Sequence, residues 1–368
     1  MTAVIDATRS YEAWIGRQVA IVRADLDHKH VEMSSAPFPF LRATYYRWAE
    51  LFRATLGDLV DAPRVLAVGD LHIENFGTWR DAEGRLVWGI NDFDEAWPLP
   101  YTNDLVRLAT SVRIASRASD WISFGKACDS ILAGYSEGLK HGGRPLVLEE
   151  RHRVLRQQAV DRLADAANFW AGLDRLPVAG TTAGRGVIRR LRQELPAAGR
   201  DLALRRRRAG LGSLGHPRLV ALTEWRGGRL AREAKGMVGS ANSWLESPTH
   251  FQPRIDYAEI VARAVRSPDP FLHLEEGWVI RRLSPDCSRV ELASLPNKND
   301  QDEWLHAMGW ETANIHLGTR GAAPRISADL ASRGRGWLKQ AARKMAKTTR
   351  RDQQAWVAEH PETHASPR

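Results

Sequence analysis

Residues 69–77 read GDLHIENFG and residues 90–96 read INDFDEA, with a stretch between them long enough for one hairpin. The apolar run Val65–Val68 before the first segment breaks at Gly69, the pattern of a buried strand ending in a loop. Thr78–Arg80 and Arg85–Ile90 flank Asp81-Ala82-Glu83-Gly84, which predicts two strands joined by a turn. Such a hairpin returns Asn91-Asp92-Phe93-Asp94 to the side of the first loop. Asp70, His72, Asn75, Asp92 and Asp94 then lie on neighbouring loops, an arrangement hard to explain as packing. Carboxylates that close repel unless a cation or a shared proton compensates them. A hard, oxygen-rich set of this kind suits Mg²⁺ better than Zn²⁺, since Mg²⁺ takes few protein ligands and shares the rest of its shell with water and phosphates.

Outward from these loops the chain divides by periodicity. Residues 9–30 and 35–59 carry apolar positions at helical spacing and read as packing elements. From Asp104 to about Ala203 apolar residues such as Leu105, Leu108, Val112 and Ala115 recur every three or four positions, so helices are expected throughout. Leu219–Trp225, Gly228–Ala231, Trp278–Leu283 and Ser288–Leu292 are short β-like runs between Gly, Pro and Asp turns, which predicts a small antiparallel sheet. Residues 301–359 return to helix, with an apolar stripe of Trp337, Leu338, Ala341, Ala342, Met345 and Ala346 beside many cations. The expected organisation is a helical segment over 1–60, a catalytic and metal-binding helical lobe over 61–205, a sheet lobe over 206–300, and C-terminal helices over 301–368 docked on the large lobe. The fold class is α+β.

Composition narrows the function classes. The chain has 368 residues, 43% of them hydrophobic, and a mean hydropathy of −0.40. No run approaches the ~20 apolar residues needed to span a bilayer. The N-terminus shows no basic region followed by an apolar one, so no secretory signal is read. Cys128 and Cys287 are the only cysteines and form no CxxC, which removes a disulfide framework and a cysteine zinc site and points to a reducing cytoplasm. Lys and Arg number 53 against 44 Asp and Glu, a net charge of +9. The excess concentrates in Arg185–Arg208 and Arg333–Arg351, which read as solvated helix faces and as charge near an anionic small molecule, in preference to a nucleic-acid surface.

An Asp and an Asn five positions apart, a hairpin, and an Asp-Phe pair resemble the catalytic and metal loops of protein-kinase-like enzymes. The GDLHxxN form is most similar to the aminoglycoside phosphotransferase branch, as is YTNDLVRLATS, in which Asp104 heads a helix. Only residues 1–68 precede the first loop, too few for a nucleotide-binding lobe ahead of it. AGLGSLGHPR (209–218), with Gly210, Gly212, Ser213 and Gly215, instead looks like a displaced glycine-rich phosphate loop, and GGRLAREAK (227–235) like its partner strand. Between about Ser35 and Thr319 the chain resembles an uncharacterised bacterial family of kinase-like proteins with circularly permuted lobes.

That resemblance implies a bilobal, circularly permuted protein-kinase-like fold binding ATP and Mg²⁺. Asp70 would orient and deprotonate an acceptor hydroxyl, Asn75, Asp92 and Asp94 would hold the metal, and Asp104 would brace the catalytic loop. His72 is expected to hydrogen-bond backbone, Glu74 to be exposed or to touch substrate, and His316 to be a core histidine. The glycine loop and a strand cation would clamp the phosphates. Arg232 and Lys235, three apart on one strand, face opposite sides, so one of them enters the cleft; register with the family's Lys-Glu-Ala pattern favours Arg232. The expected activity is phosphoryl transfer from Mg-ATP to a hydroxyl of a small-molecule acceptor. The alternatives are nucleotidyl transfer or nucleotide binding without chemistry on the same fold, and a basic nucleic-acid-binding protein.

Overall fold

The computed structural model describes residues 3–116, 121–148, 152–160, 165–179, 184–196, 202–246, 251–275, 277–287 and 298–361. It is an α+β protein with small antiparallel sheets. Among the described residues the strands are β1 (Arg64–Ala67), β2 (Phe76–Arg80), β3 (Leu86–Ile90), β4 (Trp97–Pro100), β5 (Leu146–Val147), β6 (Ala203–Arg206), β7 (Arg218–Trp225), β8 (Gly228–Gly236), β9 (His273–Glu275) and β10 (Trp278–Leu283). The predicted hairpin is β2–β3, in register from Phe76↔Ile90 to Arg80↔Leu86. β4, absent from the sequence reading, pairs with β1. Its two prolines hide it from a strand search, and they are tolerated because the two-stranded ribbon leaves one side of β4 unpaired.

The helices Thr102–Ala115, Phe124–His141, Lys298–His316 and Trp337–Glu359 pack around these loops, with the N-terminal helices Val4–Ile15, Arg23–Ser35, Pro37–Ala43 and Tyr45–Thr55 on one side. Trp88 is fully buried, stacked on Phe76 and edge-on to Trp304 at 5.0 Å. The stripe on the last helix behaves as its spacing requires: Leu338, Ala341, Ala342, Met345 and Ala346 are buried, while Arg343, Lys344, Lys347 and Arg351 face solvent. Among the described residues no helix is long and apolar enough to cross a membrane.

The larger sheet runs β6-β7-β8-β10-β9, antiparallel throughout. Within the span Asp104–Ala203, expected to be helical, Leu146–Val147 instead forms β5 through tertiary pairing with β3, and at its end the chain enters β6, an edge strand paired with β7. The expected run Ser288–Leu292 lies outside the described residues. Directly opposed residues share a face, so Leu219, Ala221, Ala234 and Ile280 form one face, covered by Val187, Leu191 and Leu195. On the other face Val220, Leu222, Ala231 and Leu283 are covered by Phe169, Trp170 and Leu173. Beyond those apolar residues the second face is polar, with Arg218, Glu233, Lys235 and Arg281.

Candidate active site

The loop after β1 is built on Asp104, fully buried at the start of the Thr102–Ala115 helix. Its carboxylate accepts the backbone N–H of Val68 at 2.7 Å and of Gly69 at 3.0 Å, and lies 3.0 Å from His316 Nε2. His316 is buried, with its other ring nitrogen 2.7 Å from Tyr135 Oη. Gly69 has φ +79°, and a Cβ there would stand 2.3 Å from the backbone oxygen of Glu95. The close approach ties the first loop to the end of the second. Gly69→Ala is therefore expected to destabilise by at least about 1–2 kcal/mol from the left-handed backbone alone, read as a lowered midpoint in urea unfolding.

Asp70 follows. Its Oδ1 accepts from Arg107 Nε at 2.8 Å and also from Arg107 Nη2. The Arg107 side chain is fully buried, held by the Leu41 carbonyl at 2.9 Å and lying over the rings of Tyr45 and Trp48. Burial pushes the Asp70 carboxyl up to about 6, against Arg107, which stabilises the anion. Asn75 donates through Nδ2 to the Asp70 carbonyl at 2.5 Å, closing the turn. His72 Nδ1 accepts the Glu74 N–H at 3.2 Å, and Glu74 pairs with Arg42 at 2.5 Å.

Asp92 and Asp94 emerge from β3 next to the sheet. Lys235 Nζ donates to Asp94 at 2.7 and 2.6 Å and to Asp92 at 3.2 Å. Burial, and after it Asp92, pushes the Asp94 carboxyl up, while Lys235 opposes them. The strand cation at the aspartates is thus Lys235, correcting the register-based preference for Arg232. Arg232 lies on the opposite face of β8, 2% exposed, with its guanidinium 4.4 Å from the Phe271 ring centre. Strand alternation decides the matter, because Lys235 shares its face with Glu233. That buried carboxylate takes hydrogen bonds from Arg218 at 2.7 Å, Arg281 at 3.0 Å and Arg207 at 2.5 Å. Burial alone would raise it, yet these arginines hold it well below the usual carboxylate range.

Between β6 and β7 the glycine loop folds over the same place. Gly210, Gly212 and Ser213 line a cavity of ≈ 50 Å³ together with Asp70, Asn75, Asp92 and Asp94. A Cβ on Gly212 would lie 3.6 Å from Asp70 Oδ2, ordinary contact, and 3.2 Å from the Arg42 carbonyl, a tight one, so the loop passes close to both. Gly215 does not line this cavity; it sits against Leu26 and Ile21, and its carbonyl accepts the Val22 N–H at 2.8 Å. Gly215, expected in the phosphate loop, is thus placed where the loop docks on the start of an N-terminal helix. A second cavity of ≈ 360 Å³ opens beside the first under the polar half of the sheet, lined by Asp92, Lys235, Arg207, Arg218, Arg266 and Arg281 among others. Of the basic run before the glycine loop, Arg207 is paired with Glu233 and Arg208 with Asp25.

Several residues here carried no readable signal in the sequence. Arg107 could be placed only as one turn beyond Asp104. Glu95 adjoins Asp94 but gave no motif; it accepts from Ser240 Oγ at 2.9 Å and Ala241 N at 2.7 Å, and burial pushes it up to about 8. Lys29 and His216 also line the smaller cavity, and neither stands in a motif that marks it. Among the described residues no three or more His, Cys, Asp or Glu side chains are grouped to hold a metal. A Mg²⁺ shared with phosphates asks for less, one or two protein oxygens, and Asp92 and Asn75 both line the smaller cavity.

Residues 22–168 match the model of a family described as an uncharacterised protein conserved in bacteria (DUF2252). The matched span contains Asp70, Asn75, Asp92, Asp94, Asp104 and Arg107 and ends before the larger sheet, so the glycine loop and Lys235 lie outside it. No curated protein and no solved structure matches the chain significantly.

Proposed function

We propose that the protein is an ATP-dependent phosphotransferase of circularly permuted, protein-kinase-like architecture, moving the γ-phosphoryl group of Mg-ATP to a hydroxyl of a small-molecule acceptor. One observation carries the reading: a glycine loop, a strand lysine, and the Asp70, Asn75 and Asp92 loops converge on one cleft although the sequence separates them widely. Asp70 offers Oδ2, which takes no hydrogen bond among the described residues, to the acceptor hydroxyl while Arg107 fixes Oδ1, so the base is aimed by its own ion pair. As the acceptor oxygen bonds to the γ-phosphorus, the bond from phosphorus to the β–γ bridging oxygen breaks, its electron pair leaves with ADP, and the hydroxyl proton passes to Asp70. Asp92 and Asn75 would hold Mg²⁺, which when bound neutralises phosphate charge. Lys235 and the arginines of the larger cavity bind the remaining phosphate oxygens.

Thermal unfolding with ATP, ADP and AMP, each with and without Mg²⁺, tests this. A magnesium-dependent rise in melting temperature with ATP is expected, since a ligand binding the folded state alone stabilises it. If no nucleotide raises it, the proposal fails. The proposal names a nucleotide and an alcohol as partners and no nucleic acid; two of the four arginines in the basic run are already neutralised by internal carboxylates.

The pH dependence follows from Asp70. A base must be ionised to act, so activity is expected to fall as pH drops through about 6, the value to which burial raises this carboxyl. Arg107→Met removes the group that holds the carboxyl down, and the acidic limb of the pH–rate profile is expected to move to higher pH. An unmoved limb would mean that another group sets it.

A further inference from the structure

The N-terminal helix Arg23–Ser35, read from sequence as packing, delivers a charged side chain into the cleft. Lys29 is 3% exposed, and among the described residues its ammonium makes a single hydrogen bond, to the Gly212 carbonyl at 3.0 Å. An ammonium has three donors, so two remain uncommitted at the wall of the cavity that holds Asp70. No carboxylate of the described residues lies within ion-pair distance of it. A buried cation without a contacting counter-ion is costly, and burial accordingly pushes the Lys29 ammonium down from its usual range.

His216, on the same cavity wall, has a buried Nδ1 without a hydrogen-bond partner among the described residues. Burial, and after it Lys29, Lys235 and Arg218, pushes its imidazole down to about 3, so it is neutral at working pH. The cavity wall thus carries uncommitted polar atoms, and the loop whose Gly212 carbonyl takes the Lys29 bond also passes close to Asp70 Oδ2. These features fit an anionic group that is present only when substrate is bound.

We propose that Lys29 binds the terminal phosphoryl group of the nucleoside triphosphate, making the N-terminal helix part of the catalytic site. The assignment rests on the phosphotransferase reading above. Lys235 and the larger cavity serve the inner phosphates, and Lys29 holds non-bridging oxygens of the phosphoryl group as it passes from the ADP oxygen to the acceptor oxygen, its proton inventory unchanged.

Calorimetric titration of the whole protein with Mg-ADP and with a non-hydrolysable Mg-ATP analogue tests this without knowledge of the acceptor. Lys29→Met is expected to weaken the triphosphate analogue about tenfold to a hundredfold, the range of a charge-assisted hydrogen bond, and to leave Mg-ADP within about twofold. Lys29→Gln, which keeps a donor for the Gly212 carbonyl without the charge, should lose the same discrimination, which separates charge from support of the loop. Equal loss for both nucleotides, or no loss for either, would overturn the assignment while leaving the phosphotransferase reading intact; Lys29 would then hold the loop or an anionic group of the acceptor. If the unsubstituted protein binds neither nucleotide, both proposals fall.

Discussion

Asp70→Asn is expected to bind Mg-nucleotide and to lose phosphoryl transfer by about 10²–10⁴-fold, the usual contribution of a positioned base. Hydrolysis of ATP in the absence of acceptor, with water in place of the alcohol, reads the effect. The substitution keeps the shape of the side chain and an oxygen for Arg107, but removes the ionised Oδ2 that faces the glycine loop. It also leaves the Arg107 guanidinium buried without a full counter-charge. Removing one partner of a buried pair costs about 3–5 kcal/mol, so a lower melting temperature is part of the expected result and has to be measured beside the rate. A variant that is folded, binds Mg-ADP and hydrolyses ATP at the original rate would show that Asp70 is not the base.

The second large effect concerns magnesium. Asp92→Ala is expected to abolish the magnesium-dependent part of nucleotide stabilisation, a loss of at most about 2.7 kcal/mol where nucleotide stands a hundredfold above its dissociation constant. Without ligand the substitution should cost little. Asp92 is partly exposed and adds to the charge repulsion felt by Asp94, whose own contact with Lys235 survives the change. Thermal unfolding of the variant with ATP, with and without Mg²⁺, separates these contributions. Persistence of the full magnesium increment would remove Asp92 from the ligand set.

Local sequence determined the parts of this protein that local forces build. The β2–β3 hairpin was legible because strand alternation and a turn sequence fall at the right spacing, and the last helix because its apolar stripe repeats at helical period. The loops bearing Asp70, Asn75, Asp92 and Asp94 were legible for a related reason, since clustered carboxylates and amides are too costly to be packing residues. What only the tertiary structure decided are the relations between distant segments. The choice of Lys235 over Arg232 depends on which face of β8 looks toward the aspartates, and pairing with β7 and β10 sets that face, whereas register with a motif does not. Lys29 belongs to a helix whose sequence reads as packing, and Arg107 to one in which only Asp104 carries a readable role; each reaches the candidate site because its helix docks beside one loop: Arg107 on Asp70, Lys29 on Gly212. The hydrophobic burial that places those helices is non-directional and leaves no local signature, so no motif could announce which of their polar residues would end up facing the cleft.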